Sequence, residues 1–181
     1  MQSKPLKQFT LFKTVDQALT KVYEVRATSG VKTASYGIQT AASSSTDRLS
    51  PTDRLTEATW VIQVVDAALN EAQRAYVTGT YDGLGTEREE ALDCLTRTFP
   101  EVARRAPLVR EIFIREFDFG ETYSKPLPQI ALECDVSLST VEKSARKARD
   151  IVKTLRGEVE TALRAAFEPR GWLRARSASA T

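Results

Sequence analysis

The chain has 181 residues and a mass of 20.1 kDa, room for one ordinary domain or two small ones. It contains no histidine, and its two cysteines, Cys94 and Cys134, have no partner at metal-ligand spacing, which excludes Ser-His-Asp and Cys-His catalysis and zinc ribbons. A net charge of +2, a 41% hydrophobic share and a 28% charged share describe a globular chain and by themselves make no case for nucleic acid. No apolar run approaches the roughly 20 residues of a membrane span, and the start MQSKPLKQF lacks the apolar core of a signal peptide. The expectation is a cytoplasmic protein with no membrane association, no metal, no cofactor and no enzymatic activity.

The near-neutral total conceals three blocks. Residues 1–56 carry eight basic and four acidic side chains, residues 57–104 four and nine, and residues 105–181 fourteen and eleven. In the first block Val15, Ala18, Leu19, Val22 and Arg26 fall three or four apart and predict a short helix. The stretch that follows, rich in Ser, Thr and Ala, reads as a linker or extended arm in which Tyr36 and Ile38 are apolar anchors. Ser50 can cap a helix whose first position is Pro51, with Asp53 favouring the positive helix end. Trp60, Val61, Val64, Val65, Ala68, Leu69, Ala72 and Tyr76 extend that helix to about Gly79, with both aromatics read as core. A second helix is predicted from about Thr86 to Thr98, burying Ala91, Leu92, Leu95 and Phe99. The stretch GLGT between them lacks the lysine and the preceding strand of a phosphate loop.

The last third carries the most information. Pro107 suits a helix start, Ile112, Phe113 and Phe117 give that helix an apolar face, and Gly120 fits just past its end. A short helix then carries Gln129, Ile130, Ala131, Leu132, Glu133 and Cys134. A tight turn at residues 135–137 leads into a third helix from Leu138. This is the spacing of a helix-turn-helix. Ala131 provides the small residue where two helices cross, and Ile130, Cys134, Val136 and Val141 fill the core between them. Ser137 can cap the third helix. On that helix Val141, Ala145, Ala148, Val152 and Leu155 point inward, while Ser139, Thr140, Lys143, Arg146, Lys147 and Asp150 point outward. Between Leu138 and Arg156 six basic residues stand against two acidic ones, whereas Leu108 to Ser137 carries three against six.

The run IALECDVSLSTVEKSARKARD resembles the helix-turn-helix in the fourth region of bacterial sigma factors and of related response regulators. The Ile-Ala pair opens the second helix, a Ser closes the turn and Thr-Val opens the recognition helix. Lys143, Arg146, Lys147, Ala148 and Arg149 follow as in that family, and the upstream VREIFIREFDFG resembles its preceding helix. The likeness covers about 50 residues. Asp135 stands where the family has its turn glycine, and the loop between Gly120 and Ile130 is longer than in sigma factors. No aromatic-rich promoter-melting helix is evident elsewhere. The layout of a basic arm, a helical middle and a C-terminal helix-turn-helix is similar to phage and prophage regulators, Q-type late-gene antitermination proteins above all. That resemblance implies DNA binding near a promoter together with contact to RNA polymerase.

The expectation is therefore an all-α chain with a short N-terminal helix in 1–27, a Ser/Thr-rich linker in 28–48, a helical hairpin in 49–105, a helix-turn-helix domain in 106–168 and a basic tail in 169–181. Double-stranded DNA is the expected partner, contacted by Ser137, Ser139, Thr140, Lys143, Arg146, Lys147 and Arg149 through phosphates and base edges. The inward stripe continues through Val159, Ala162 and Ala166 as a heptad-like seam, which either joins a homodimer or packs on its own domain. The tail, with Arg170, Arg174 and Arg176 near Trp172, either grips DNA or frays. Two other readings stand beside DNA binding: a polymerase- or protein-interaction module, and a phage terminase small subunit.

Overall fold

Apolar residues recurring three and four apart become helices throughout the described residues. The computed structural model describes residues 12–30, 51–82, 86–117 and 125–173. Among them lie seven α-helices: α1 (Val15–Gly30), α2 (Pro51–Ala68), α3 (Glu71–Tyr81), α4 (Thr86–Thr98), α5 (Ala106–Phe117), α6 (Leu127–Glu133) and α7 (Leu138–Phe167). No strand occurs among the described residues, and the fold is all-α. The Ser50 cap, the linker anchors Tyr36 and Ile38, Gly120, Arg174 and Arg176 lie outside the described residues.

The chain forms two compact units, one of residues up to Ala68 together with those from Ala162 onward, the other Leu69–Thr161. In the first unit the buried residues are Phe12, Val15, Ala18, Leu19, Val22 and Tyr23 at and in α1, Ala58, Val61 and Val65 in α2, and Leu163, Phe167, Trp172 and Leu173. Thr14 starts α1 by accepting the Gln17 N–H at 3.1 Å, while the Gln17 side chain accepts the Lys13 N–H at 2.8 Å. The segment after α7 does not fray up to Leu173. Gly171 turns it at φ 67°, Phe12 N–H donates to the Trp172 carbonyl at 2.8 Å, and Phe12 pairs with Leu173 in one parallel bridge. The Trp172 ring packs at 5.4 Å from that of Phe167. Burying two large aromatics outweighs the ordering entropy that would otherwise loosen a chain end.

Two expectations about the middle of the chain need correction. Trp60 is 45% exposed, not core: α2 buries Ala58, Val61 and Val65, and Trp60 sits about 100° around the helix from Val61. The helix expected to run unbroken to Gly79 instead stops at Ala68, and α3 begins at Glu71. Asn70 causes the break. Its side chain accepts the Gln73 N–H at 2.9 Å, and the Gln73 side chain accepts the Asn70 N–H at 3.1 Å. This reciprocal capping box starts a new helix inside what the apolar stripe alone makes continuous.

The second unit is centred on α3, α4 and α5. Leu92 and Leu95 of α4, Leu108, Ile112 and Phe113 of α5, and Val77 of α3 are almost wholly buried. Aromatic rings join these helices: Tyr76 lies 5.9 Å from Phe117, Phe117 stacks at 6.1 Å on Phe113, and Phe113 lies 6.3 Å from Phe99. The buried Gly79 of α3 faces the Phe117 ring, and a Cβ there would meet it at 3.6 Å, an ordinary packing distance. Arg110 of α5 pairs with Glu89 and Asp93 of α4. Cys94 is buried, and burial pushes its thiol above the ordinary range, the behaviour of an inert core cysteine.

The stripe on α7 is covered by the chain itself. Val141, Ala145, Ala148, Leu155 and Val159 are buried in the second unit. In the first, Leu163 and Phe167 are buried while Ala162 and Ala166 are only half-buried. A four-three alternation holds one direction on a helix only to within about 20° per heptad. The larger side chains, with more apolar area to remove from water, take the inward positions. The stripe is therefore core of this chain, not a free dimer seam.

Candidate nucleic-acid interface

The region from Lys125 to Arg156 is built around the connection between α6 and α7. Pro126 precedes α6 and accepts the Gln129 and Ile130 N–H groups at 2.9 and 3.2 Å. Lys125 ties the start of α6 to α5 through Glu111 at 3.0 Å and to the end of α6 through Glu133 at 2.7 Å. Arg115 of α5 donates to the Lys125 carbonyl at 2.6 Å. Hydrogen bonds to these two carboxylates raise the Lys125 ammonium above its usual value, and the same lysine, with Gln129, holds the Glu133 carboxyl below the usual range.

The end of α6 explains how an aspartate serves where a glycine is common. The Val136 N–H donates to the Ala131 carbonyl at 3.0 Å and the Asp135 N–H to the Leu132 carbonyl at 3.3 Å. These are the two bonds of a Schellman motif, which needs a left-handed residue between them. Asp135 takes that place at φ 50°, alone among the described non-glycine residues, and Asp tolerates it better than most side chains. Beneath the turn Ile130, Ala131 and Val141 are buried and Cys134 and Val136 half-buried. Burial raises the Cys134 thiol, reinforced by Glu111 and Glu133.

Helix α7 then starts at a serine cap. The Ser137 hydroxyl accepts the Thr140 N–H at 3.3 Å and lies 2.8 Å from the Thr140 hydroxyl and 3.1 Å from that of Ser139. Ser139, Thr140, Lys143, Arg146, Lys147 and Arg149 are all exposed. At 100° per residue, Ser139, Lys143 and Arg146 centre the outward face, Thr140 and Lys147 lie on one flank, and Arg149 lies on the other with Glu142.

The seven residues singled out from sequence thus differ in what they do. Lys143 and Arg146 make no ion pair or side-chain hydrogen bond among the described residues. Lys147 donates to the Glu101 carbonyl at 3.1 Å. Arg149 pairs at 3.5 Å with the largely buried Glu116 of α5. Ser137 is engaged in capping. The group therefore separates into an unengaged centre and flanks fastened to the rest of the second unit.

Arg105 is a residue of the candidate site that the spacing argument missed. From just before α5 its guanidinium donates to the Cys134 carbonyl at 3.0 Å and the Asp135 carbonyl at 3.4 Å, fixing the turn that aims α7. The signal was present as the Arg104-Arg105 pair. It fell on the border between the acidic and basic blocks, where neither net charge displays it. Leu132, 82% exposed, and Leu138, 41% exposed, are apolar side chains left in solvent on either side of the turn.

Among the described residues no three His, Cys, Asp or Glu side chains gather as metal ligands, and no helix is long and apolar enough to cross a membrane. No protein-family model, curated protein or solved structure matches the chain.

Proposed function

We propose that α6, its turn and α7 act as a sigma region 4-like helix-turn-helix that places the start of α7 in the major groove of double-stranded DNA. The observation that carries this reading is the unengaged, exposed cationic centre of α7, Lys143 and Arg146 beside Ser139, on a helix aimed by a capped and braced turn. Lys143 and Arg146 meet phosphates or guanine edges, and Ser139 and Thr140 reach bases or backbone. Lys147 and Arg149 join only by exchanging their present partners for phosphate. Ser137 serves binding by starting the helix. Together with the basic first block and acidic middle of the sequence, this supports a cytoplasmic, phage-type transcription regulator akin to Q-type antitermination proteins, in which RNA polymerase is the second partner.

The salt dependence distinguishes the unengaged centre from the flanks. If Lys143 and Arg146 alone meet phosphates, log K falls against log salt with a slope near −1.8; with Lys147 and Arg149 also released, the slope approaches −3.6. Fluorescence anisotropy on a duplex pool enriched by site selection measures it. Lys143→Ala, Arg146→Ala and Lys147→Ala together are expected to leave the far-UV circular dichroism helical and to weaken binding. Unchanged affinity in the triple variant sinks the reading.

A protein-interaction role has its own observation. In the first unit the half-exposed Trp60 lines an apolar groove of about 640 Å³ with Val64, Ala67, Ala166 and Trp172, and Arg170 stands 5.8 Å over the Trp172 ring. Retention on RNA polymerase without retention on duplex DNA would favour that role over the first.

A further inference from the structure

The second unit holds a groove of about 460 Å³ between the α4–α5 connection and the start of α7. Its lining brings together Arg104, Arg105, Lys143 and Lys147 with a single carboxylate-bearing residue, Glu101. Two of the four cations are structural: Arg105 braces the turn carbonyls and Lys147 the Glu101 carbonyl. These bonds fasten both walls. The other two, Arg104 and Lys143, are exposed and make no ion pair or side-chain hydrogen bond among the described residues. Thr140 and the buried Ser144, both hydroxyl-bearing, also line the groove. Two unengaged cations facing one pocket repel each other, and the group that relieves them is an anion with several oxygens. A phosphate fits: it accepts a forked pair of bonds from a guanidinium, a point charge from an ammonium, and a hydroxyl bond.

We infer that this groove seats one backbone phosphate of the DNA, held between Arg104 and Lys143, so that the α4–α5 connection forms a second contact beside α7. The inference rests on the DNA-binding reading and names a residue outside the helix-turn-helix. It makes Arg104 a positioning contact that fixes register without reading sequence.

The test is a salt titration of wild type, Arg104→Ala, Lys143→Ala and the double variant on two unrelated duplexes. Arg104→Ala is expected to lower the slope by about 0.9 and to weaken binding roughly eight-fold at 0.1 M salt on both duplexes alike. Because both side chains hold the same phosphate, the double variant loses about the same 0.9 in slope and no more. An unchanged slope in Arg104→Ala, or a loss that doubles in the double variant, overturns the inference. A parallel thermal melt with inorganic pyrophosphate separates the sources of the anion. Pyrophosphate that stabilises wild type but not Arg104→Ala, with duplex binding untouched, assigns the groove to a free phosphoanion and overturns the DNA contact. If wild type binds no duplex, the DNA reading fails on its own. Pyrophosphate protection dependent on Arg104 then leaves the groove standing as a phosphate site, and its absence overturns that as well.

Discussion

Two interruptions between helices, among the described residues, use the same device to different ends. At Asn70 and at Ser137 a small polar side chain caps the next helix by accepting the N–H three residues on. Beyond Asn70, α3 buries Ala75, Tyr76, Val77 and Gly79, and its polar side chains hold it to its neighbours, as Gln73 does by donating to Glu158 at 3.0 Å. Beyond Ser137, α7 buries one face and leaves on the other a row of cations, among which Lys143 and Arg146 near its start make no ion pair or side-chain hydrogen bond among the described residues. The caps fix where each helix starts. On the proposed reading, what the outward face leaves unengaged separates a helix that serves as scaffold from one that meets DNA.

The comparison breaks most readily in the core beneath each interruption. Ile130 and Leu69 are both buried just before their breaks, and truncating either to alanine is expected to cost about 2–5 kcal/mol, read as a lower urea midpoint. Only Ile130→Ala should also weaken DNA binding under conditions where the protein stays folded, because only that core orients α7. Equal effects of the two on DNA affinity would erase the functional distinction. Next in size come the caps. Asn70→Ala and Ser137→Ala should each cost about 1 kcal/mol in thermal unfolding. Anisotropy should then register a loss of affinity for Ser137→Ala alone.

How far these features were legible in the sequence depends on the physics behind each. The inward residues of α7 to Leu155, the limits of α4 and the turn before Leu138 all follow from periodicity and turn chemistry, which are local. The break at residues 69–70 was legible too, since Asn70 and Gln73 stand at capping-box spacing, but a continuous apolar stripe masked it. Trp60 and Phe167 were not legible. Which of two adjacent apolar residues turns inward depends on what packs there, and helical spacing alone leaves an uncertainty of about one residue. The engagement of Lys147 and Arg149 was hidden for a similar reason: Glu101 and Glu116 lie tens of residues away in sequence, so charge counting registers the cation and not its partner.

A smaller effect sharpens the contrast in backbone. Asn70 enters α3 with φ −75°, whereas Asp135 must turn through φ 50°. Glycine removes that strain, so Asp135→Gly should raise stability by about 0.5–1 kcal/mol in thermal unfolding. DNA affinity should be unchanged, because the side chain lost is an anion outside the cationic face. A destabilised Asp135→Gly would mean that the Asp135 side chain holds the turn in some further way.

The smallest effect distinguishes the two interruptions by pH. Near Asn70 the partner side chain is the uncharged Gln73, so that capping box is insensitive to acid. Near the turn Glu133 does the corresponding tying, and Lys125 and Gln129 hold its carboxyl below the usual carboxylate value of about 4.3. A group whose folded value is depressed stabilises the fold above its unfolded value and loses that contribution as pH falls through the folded one. Lys125 works in the opposite sense: its raised value adds stability below about 10.4, lost as pH rises through the folded value. Both groups are exposed, which screens the pair and keeps the effect small. The melting temperature of Glu133→Gln should therefore lie slightly below that of wild type at pH 6 and approach it as acid protonates the carboxyl, while Asn70→Ala, which removes only a bond to the Gln73 N–H, keeps a constant offset across that range. A Glu133→Gln offset as constant as that of Asn70→Ala would mean that the turn is held by its backbone bonds and Arg105, with no help from the ion pair.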